Sequence, residues 1–339
     1  MGLDGRRAET ERGSAESAAR KRRYAEFCER VSVPIYSQPW WMDAVCGEEN
    51  WDVWLHESGG LIDAAMPCYF EQREHGLYVT KPPLTQNNGI IFRHPDGAGR
   101  IARAKFEERV VNEVCDFIAG EGLAVYEQQY RYTFANWLPF SWKGYEALPR
   151  YTYVIEDTSD IDAVWRGMSS GYRKNIKKGR RNGTIREGLS CEDFYREHAK
   201  VFERQGLPVP FDFDLWERLF GAVMSHGAGR TLWSEAADGG VASVLFLVWD
   251  DFSVYHLLGG PMPGFNGLET YNALTWEGVR MAGEKGLSYD FEGSMIERIS
   301  KSFREFGGEP KLYFRIRKVF SPEVVRVEAE RKVVQLEEC

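Results

Sequence analysis

The chain has 339 residues, 43% of them apolar and 14% aromatic, with 43 Lys and Arg against 51 Asp and Glu and a formal net charge of −8. This length allows large buried cores and about two domains, while the acidic balance disfavours general binding to duplex nucleic acid, which needs broad phosphate neutralisation. No run approaches the roughly 18 apolar residues of a membrane span, so stable membrane insertion is not expected. The six cysteines and six histidines fall without CxxC or HExxH spacing, which argues against a metal site and fits a reducing cytoplasm.

Residues 1–23 are charged and small and lack an apolar targeting core, so they read as a disordered lead-in. The first domain is expected over 24–150. Its "QPWWMDAVCGEENWDVW" holds four tryptophans that close the edge of a core or stack a base. "GLIDAAMPCYF" and "GLYVTKPP" read as strands around a polar turn. They are followed by a glycine-rich stretch, the helix "RAKFEERVVNEVCDFIAGEG" and the strand "LAVYEQQY". "NWLPFSWKGYEALPRYTY", with Pro139 and Pro149, reads as the seam between domains, with Trp137, Trp142 and Tyr145 facing a groove there.

The second domain is expected over 151–325, with a charged tail at 326–339. A strand, "YTYVIE", leads to a short helix capped by Ser159 with Asp162, and then to a basic helix, "SSGYRKNIKKGRRNG", ended by Gly183. Six cations lie between Arg173 and Arg181 with no carboxylate among them. At 100° per residue they occupy an arc of about 160°. Tyr172, Ile176 and Gly179 form the opposite stripe, where the helix docks and Gly179 permits close approach. Packing accounts for the stripe and not for the cations, because like charges three or four positions apart repel. A visiting anion, phosphate above all, would relieve them.

Downstream, "GGVASVLFLVW" and "FSVYHLLGG" flank a tight turn and lead to "PMPGFNG", the helix "LETYNALTWEGVRMAGEKG" and the strand "LSYDFEGS". This repeats the order of the first half: strand, hairpin, strand, glycine loop, helix, strand. "AGEGLAVYEQQ" against "AGEKGLSYDFEG" is the closest local echo. The expected class is therefore mixed α/β (α+β), built as a tandem duplication.

The basic segment "MSSGYRKNIKKGRRNG", the amino-terminal "IYSQPWWMDAV", the strand end "YDFEGS" and the later "SFREFGGEPKLYF" together resemble the Fem-type branch of the GNAT acetyltransferase superfamily, over roughly Tyr36 to Tyr313. The resemblance implies two GNAT-like domains. It also implies transfer of an acyl or aminoacyl group, from acyl-CoA or aminoacyl-tRNA, to the amine of a phosphate-bearing small molecule, peptide or sugar nucleotide of the cell envelope or of secondary metabolism. Arg173, Lys174 and Lys177 match the family's basic segment as phosphate-binding candidates, and Lys301 and Arg304 of "SKSFREFGGEP" as further substrate-binding candidates. Arg304 would hold a donor phosphate or meet charge on a carbonyl oxygen. Nothing between Arg186 and Leu232 resembles the helical arm of the peptidoglycan enzymes, which weighs against tRNA as a partner. The coenzyme A loop of ordinary acetyltransferases is not present as written: "RHPDGAG" is one residue too long, and "GGPMPGFNG" lacks the leading Gln or Arg.

In this fold the reacting groups meet where two central strands splay, which in the second half is the end of "VYHLLGG" and of "LSYDFEGS". His256, Tyr289, Asp290 and Glu292 are the acid–base candidates there. By strand alternation Asp290 and Glu292 share one face, opposite Tyr289 and Phe291. Glu292 is expected to act on the amine with Asp290 as its orienting companion; surface pairing with arginines is the structural alternative. No metal is expected. The competing reading is a catalytically silent double domain that binds nucleic acid or another polyanion through the basic helix.

Overall fold

The computed structural model describes residues 14–203, 206–265 and 267–337, with side chains to residue 330. In chain order the elements are α1 (Ala15–Cys28), α2 (Pro39–Cys46), β1 (Trp51–Ser58), β2 (Leu61–Arg73), β3 (Gly76–Thr80), β4 (Ile91–Phe92), α3 (Arg100–Gly120), β5 (Val125–Gln129), α4 (Leu138–Trp142) and β6 (Glu146–Ile155). There follow α5 (Ile161–Gly167), α6 (Ser170–Asn182), β7 (Gly183–Glu187), α7 (Cys191–Glu203), α8 (Phe213–Ser225), β8 (Gly229–Ala236), β9 (Val241–Trp249), β10 (Ser253–Pro261), α9 (Thr270–Lys285), β11 (Ser288–Asp290), α10 (Glu297–Glu305), β12 (Glu309–Val319) and α11 (Pro322–Glu337). The chain divides into two compact units, residues 1–150 with 313–339, and residues 151–312.

In the first unit β1, β2 and β3 are antiparallel neighbours. β3 then pairs in parallel with β5, the two strands being joined through α3, and β5 takes β12 antiparallel at its other side. A parallel pair needs such a crossover, and α3 supplies it. The helix buries Val110, Val111, Val114 and Ile118 against Met66, Phe70, Val79 and Tyr126. Tyr145, expected at a groove, lies in this core at 5% exposure, and Trp137 packs against it. Trp41 and Trp51 are fully buried, so they serve packing.

Two boundaries differ from the sequence reading. Residues 14–23 are ordered: Ser14 Oγ accepts the Ser17 N–H at 3.2 Å to start α1, whose Tyr24 and Phe27 are buried and whose Arg20 Nε donates to Asp52 Oδ1 at 3.2 Å. Residues 1–13 of the expected lead-in lie outside the described residues. At the other end, Tyr313–Cys339 belongs with the first unit, because Arg315–Val319 of β12 pair with Val125–Gln129. The second domain therefore does not run to 325, and the charged tail expected from 326 continues α11 as helix.

The second unit repeats the plan. β8, β9 and β10 are antiparallel neighbours, β10 pairs in parallel with β11 across α9, and β11 takes β6 antiparallel. β7 extends the sheet beyond β8. The order β8-β9-β10-β11-β6 thus matches β1-β2-β3-β5-β12 in sequence of senses, which is the duplication expected from the repeat.

Helix α6 ends at Gly183 as anticipated, with Ser169 Oγ accepting the Tyr172 N–H at its start. It docks on α9 through Ile176, which is fully buried, and through Gly179, where a Cβ would overlap the Glu269 carbonyl oxygen and come within 3.0 Å of Ala273 Cβ. The cap of α5 is Asp160, whose Oδ1 accepts the Ala163 N–H at 2.9 Å, and not Ser159, which turns back to Asp157.

Candidate active site

β10 and β11 pair only over Ser253–Tyr255 and Ser288–Asp290. Past Tyr255, β10 continues to Pro261 on β9 alone while the β11 chain leaves the sheet, so the two strands open apart. At that point the β9–β10 register slips between His256 and Leu258. Such a bulge re-aims side chains and frees backbone groups, and it recurs beside active sites. All four acid–base candidates sit at this opening.

Asp290 is 1% exposed. Its Oδ1 accepts Thr152 Oγ1 at 2.5 Å and the Glu292 backbone N–H at 2.8 Å. Phe291 N donates to Tyr153 O at 2.9 Å, tying the strand end to β6. Glu292 has φ of 60°, in the left-handed region that disfavours a side chain. Gly293 follows at φ of 68°, against the Tyr151 carbonyl, where a Cβ would overlap. Strand alternation therefore stops before Glu292, and the expected shared face of Asp290 and Glu292 is replaced by a turn that the Asp290 carboxylate holds. The Glu292 residue is half-buried, yet its Oε1 is buried without a hydrogen-bond partner among the described residues. Burial raises its pKa well above the usual carboxylate range.

On the α9 side, His256 Nδ1 lies 2.8 Å from Tyr289 Oη and His256 Nε2 lies 2.5 Å from Tyr271 Oη. Burial of the ring lowers the His256 pKa to about 4, so the imidazole is neutral at physiological pH. Both tyrosines are pushed above their ordinary value by burial, which keeps them protonated. The phenyl ring of Phe291 stacks on His256 at 6.4 Å and meets Tyr289 edge-on at 4.9 Å. Thr152 and Tyr271 escaped the sequence reading. Neither sits in a motif, and each is brought in by pairing or packing alone.

The basic residues divide. Arg173 Nη1 donates to the carbonyls of Arg166 and Met168 at 2.7 Å each, so this nitrogen satisfies the end of α5. Arg180 pairs with Glu277 of α9 at 3.1 Å, which places a carboxylate beside the arc that the local sequence lacks. Lys174, Lys177, Lys178 and Arg181 are exposed, with Lys177 Nζ 5.9 Å from the Trp165 ring. Lys301 pairs with Glu297 on its own helix at 2.6 Å, and Arg304 is exposed on α10.

The first unit has a matching opening. β3 and β5 pair in parallel only at Tyr78–Val79 and Val125–Tyr126, and beyond them lies a pocket of about 240 Å³ lined by Asn87, Asn88, Phe92 and Tyr130 among others. Its strand end carries Glu127, Gln128 and Gln129 after Tyr126, where the second unit carries Asp290, Phe291 and Glu292 after Tyr289. Gln128 Nε2 donates to Pro67 O and Asn88 Oδ1, Glu127 pairs with Arg315 and Arg317, and Glu107 lines the pocket 2.7 Å from His94 Nε2. Among the described residues no group of three or more His, Cys, Asp and Glu is arranged to hold a metal, and no helix is long and apolar enough to cross a membrane.

Residues 144–295 match the family described as Acetyltransferase (GNAT) domain. The fold is similar to that of FemX at 10% identity and a TM-score of 0.67, covering 91% of this chain and 98% of that one. It is similar also to L-PGS from Bacillus licheniformis, at 12% identity, TM-score 0.55, and 90% and 94% coverage. A tandem GNAT protein from the clavulanic acid biosynthesis pathway aligns at 10% identity, TM-score 0.52, and 92% and 97% coverage. No curated protein matches the chain in sequence.

Proposed function

We propose that this chain is an acyltransferase, a reading supported by the GNAT domain match over residues 144–295 and the fold it shares with FemX and a tandem GNAT protein, and that its second unit transfers an acyl group from acyl-CoA to the primary amine of a phosphate-bearing acceptor, with Glu292 as general base. One observation carries this reading: a carboxyl group with a buried, unpartnered oxygen is held in a left-handed turn where two parallel strands part. Backbone strain of this kind costs about 1–3 kcal/mol and persists where a site needs it.

In the reaction the amine nitrogen bonds to the acyl carbon, the C–S bond breaks, and the amine proton passes to the Glu292 carboxylate. The thiolate leaves and takes a proton from solvent. A base works best with a pKa near the working pH, and burial shifts Glu292 in that direction. Asp290 is the companion that fixes the turn. Lys174, Lys177, Lys178 and Arg181 present the cationic surface for the acceptor's phosphate.

The test is thiol release from acetyl-CoA in the presence of a panel of phosphorylated primary amines, with Glu292→Gln as the control. Amine-dependent release lost in the variant supports the reading. Release with neither wild type nor variant, alongside aminoacyl transfer from charged tRNA, would move the donor to aminoacyl-tRNA.

A further inference from the structure

Tyr289, His256 and Tyr271 form a three-member hydrogen-bond chain whose direction is decided by burial. A neutral imidazole carries one N–H, so one ring nitrogen donates and the other accepts. Tyr289 is 0% exposed, and among the described residues its hydroxyl has one hydrogen-bond partner, His256 Nδ1. If Nδ1 carried the proton, the Tyr289 hydrogen would be buried and unpaired, at a cost of about 1–3 kcal/mol. Tyr289 must therefore donate to Nδ1, and the imidazole proton lies on Nε2.

The consequence falls on Tyr271. Nε2–H donates to its oxygen, so the Tyr271 hydroxyl hydrogen is not used within the chain. Tyr271 is half-buried on the first turn of α9. A Cβ at Gly259 would sit 2.9 Å from its Oη, and Gly259 belongs to the stretch of β10 beyond the last residue paired with β11. The hydroxyl is thus at the strand opening, beside the bulge.

We propose that Tyr271 donates its hydroxyl hydrogen bond to the carbonyl oxygen of the bound acyl donor, and that His256 is the positioning residue that aims it. This rests on the acyltransferase reading above. As the amine adds, the carbonyl π pair moves onto oxygen and Tyr271 O–H stabilises that charge without giving up its proton. Collapse of the adduct restores C=O and expels the thiolate. A donor oriented before the reaction stabilises developing charge without reorganisation. Protonation of the buried ring would turn Nδ1 into a donor and displace the bond from Tyr289, leaving Nε2–H on Tyr271.

The decisive measurement needs no substrate. Nitrogen NMR of the His256 ring in the free protein is expected to show Nδ1 unprotonated and Nε2 protonated, and Tyr289→Phe to release that preference. A ring protonated at Nδ1 overturns the proposal, because the Tyr271 hydrogen is then spent on Nε2. In turnover with acetyl-CoA, Tyr271→Phe is expected to lower kcat on the order of 10²-fold with the KM for acetyl-CoA nearly unchanged and the Nε2–H tautomer intact. An unchanged kcat, or a rise in KM alone, overturns it as well. Should wild type fail to use acetyl-CoA at all, the function reading fails on that result, while the tautomer still decides the chain.

Discussion

The Asp290 carboxylate accepts the Glu292 backbone N–H at 2.8 Å, and this one bond holds a left-handed glutamate at the end of a strand. A φ of 60° disfavours a residue with a long side chain, and this bond offsets that cost. Asp290 in turn is fixed by Thr152 across the sheet.

Asp290→Asn should therefore act through geometry. In the variant one amide oxygen can still accept from Thr152 Oγ1 and Glu292 N, but without the carboxylate's charge and with a buried NH2 in place of the second oxygen, and destabilisation of about 1–3 kcal/mol is expected. Denaturant titration measures it. Turnover should fall together with stability, and Thr152→Val should show the same trend more weakly.

Glu292→Gln should behave in the opposite sense. The carboxyl pKa is raised well above 4.5 in the folded chain, so above about 4.5 the folded state holds a proton that the unfolded state has lost. Stability from this group is full below that pH and is lost as pH rises through the folded pKa. At pH 7 the glutamine variant is then expected to melt higher than wild type, while amine-dependent turnover drops on the order of 10²-fold. A lower Tm at pH 7 would show that the carboxylate is paired.

Acid should destabilise the second unit through its histidines. His256 and His198 both have pKa values lowered to about 4 by burial, against an ordinary value of 6.5. Between these values the unfolded chain binds more protons, so stability declines as pH falls from 6.5 toward about 4. Thermal melts across this range should show the slope, and His256→Gln should reduce it without abolishing it, since His198 remains.

The basic helix should separate into structural and ligand-facing residues. Arg173→Gln removes the donor to the Arg166 and Met168 carbonyls and is expected to lower Tm. Lys174→Gln, Lys178→Gln and Arg181→Gln together should leave Tm within a degree or two and weaken binding of a phosphorylated acceptor, with a shallower salt dependence. Gly179→Ala should destabilise by about 1–3 kcal/mol through overlap with α9.

Local periodicity made a good part of this protein legible. The helix over 170–182, its docking through Ile176 and Gly179, and the repeated strand–helix–strand units follow from the spacing of apolar residues and glycines, because helix and strand phase are properties of neighbouring residues. The position of Asp290 and Glu292 at a strand end was legible for the same reason. The tertiary structure decided the rest. Thr152 reaches Asp290 across 138 residues, and Tyr289 and Tyr271 reach His256 across 33 and 15, so these bonds depend on which strands and helices become neighbours. Arg173 looked like one cation among six until the end of α5 was seen against it. Composition marked residues 14–23 as loose, yet Tyr24 and Phe27 just beyond them anchor α1 as a helix. Sequence spacing sets which face a side chain occupies; only the packed chain sets what stands opposite that face, and burial, pKa and hydrogen-bond direction all follow from the latter.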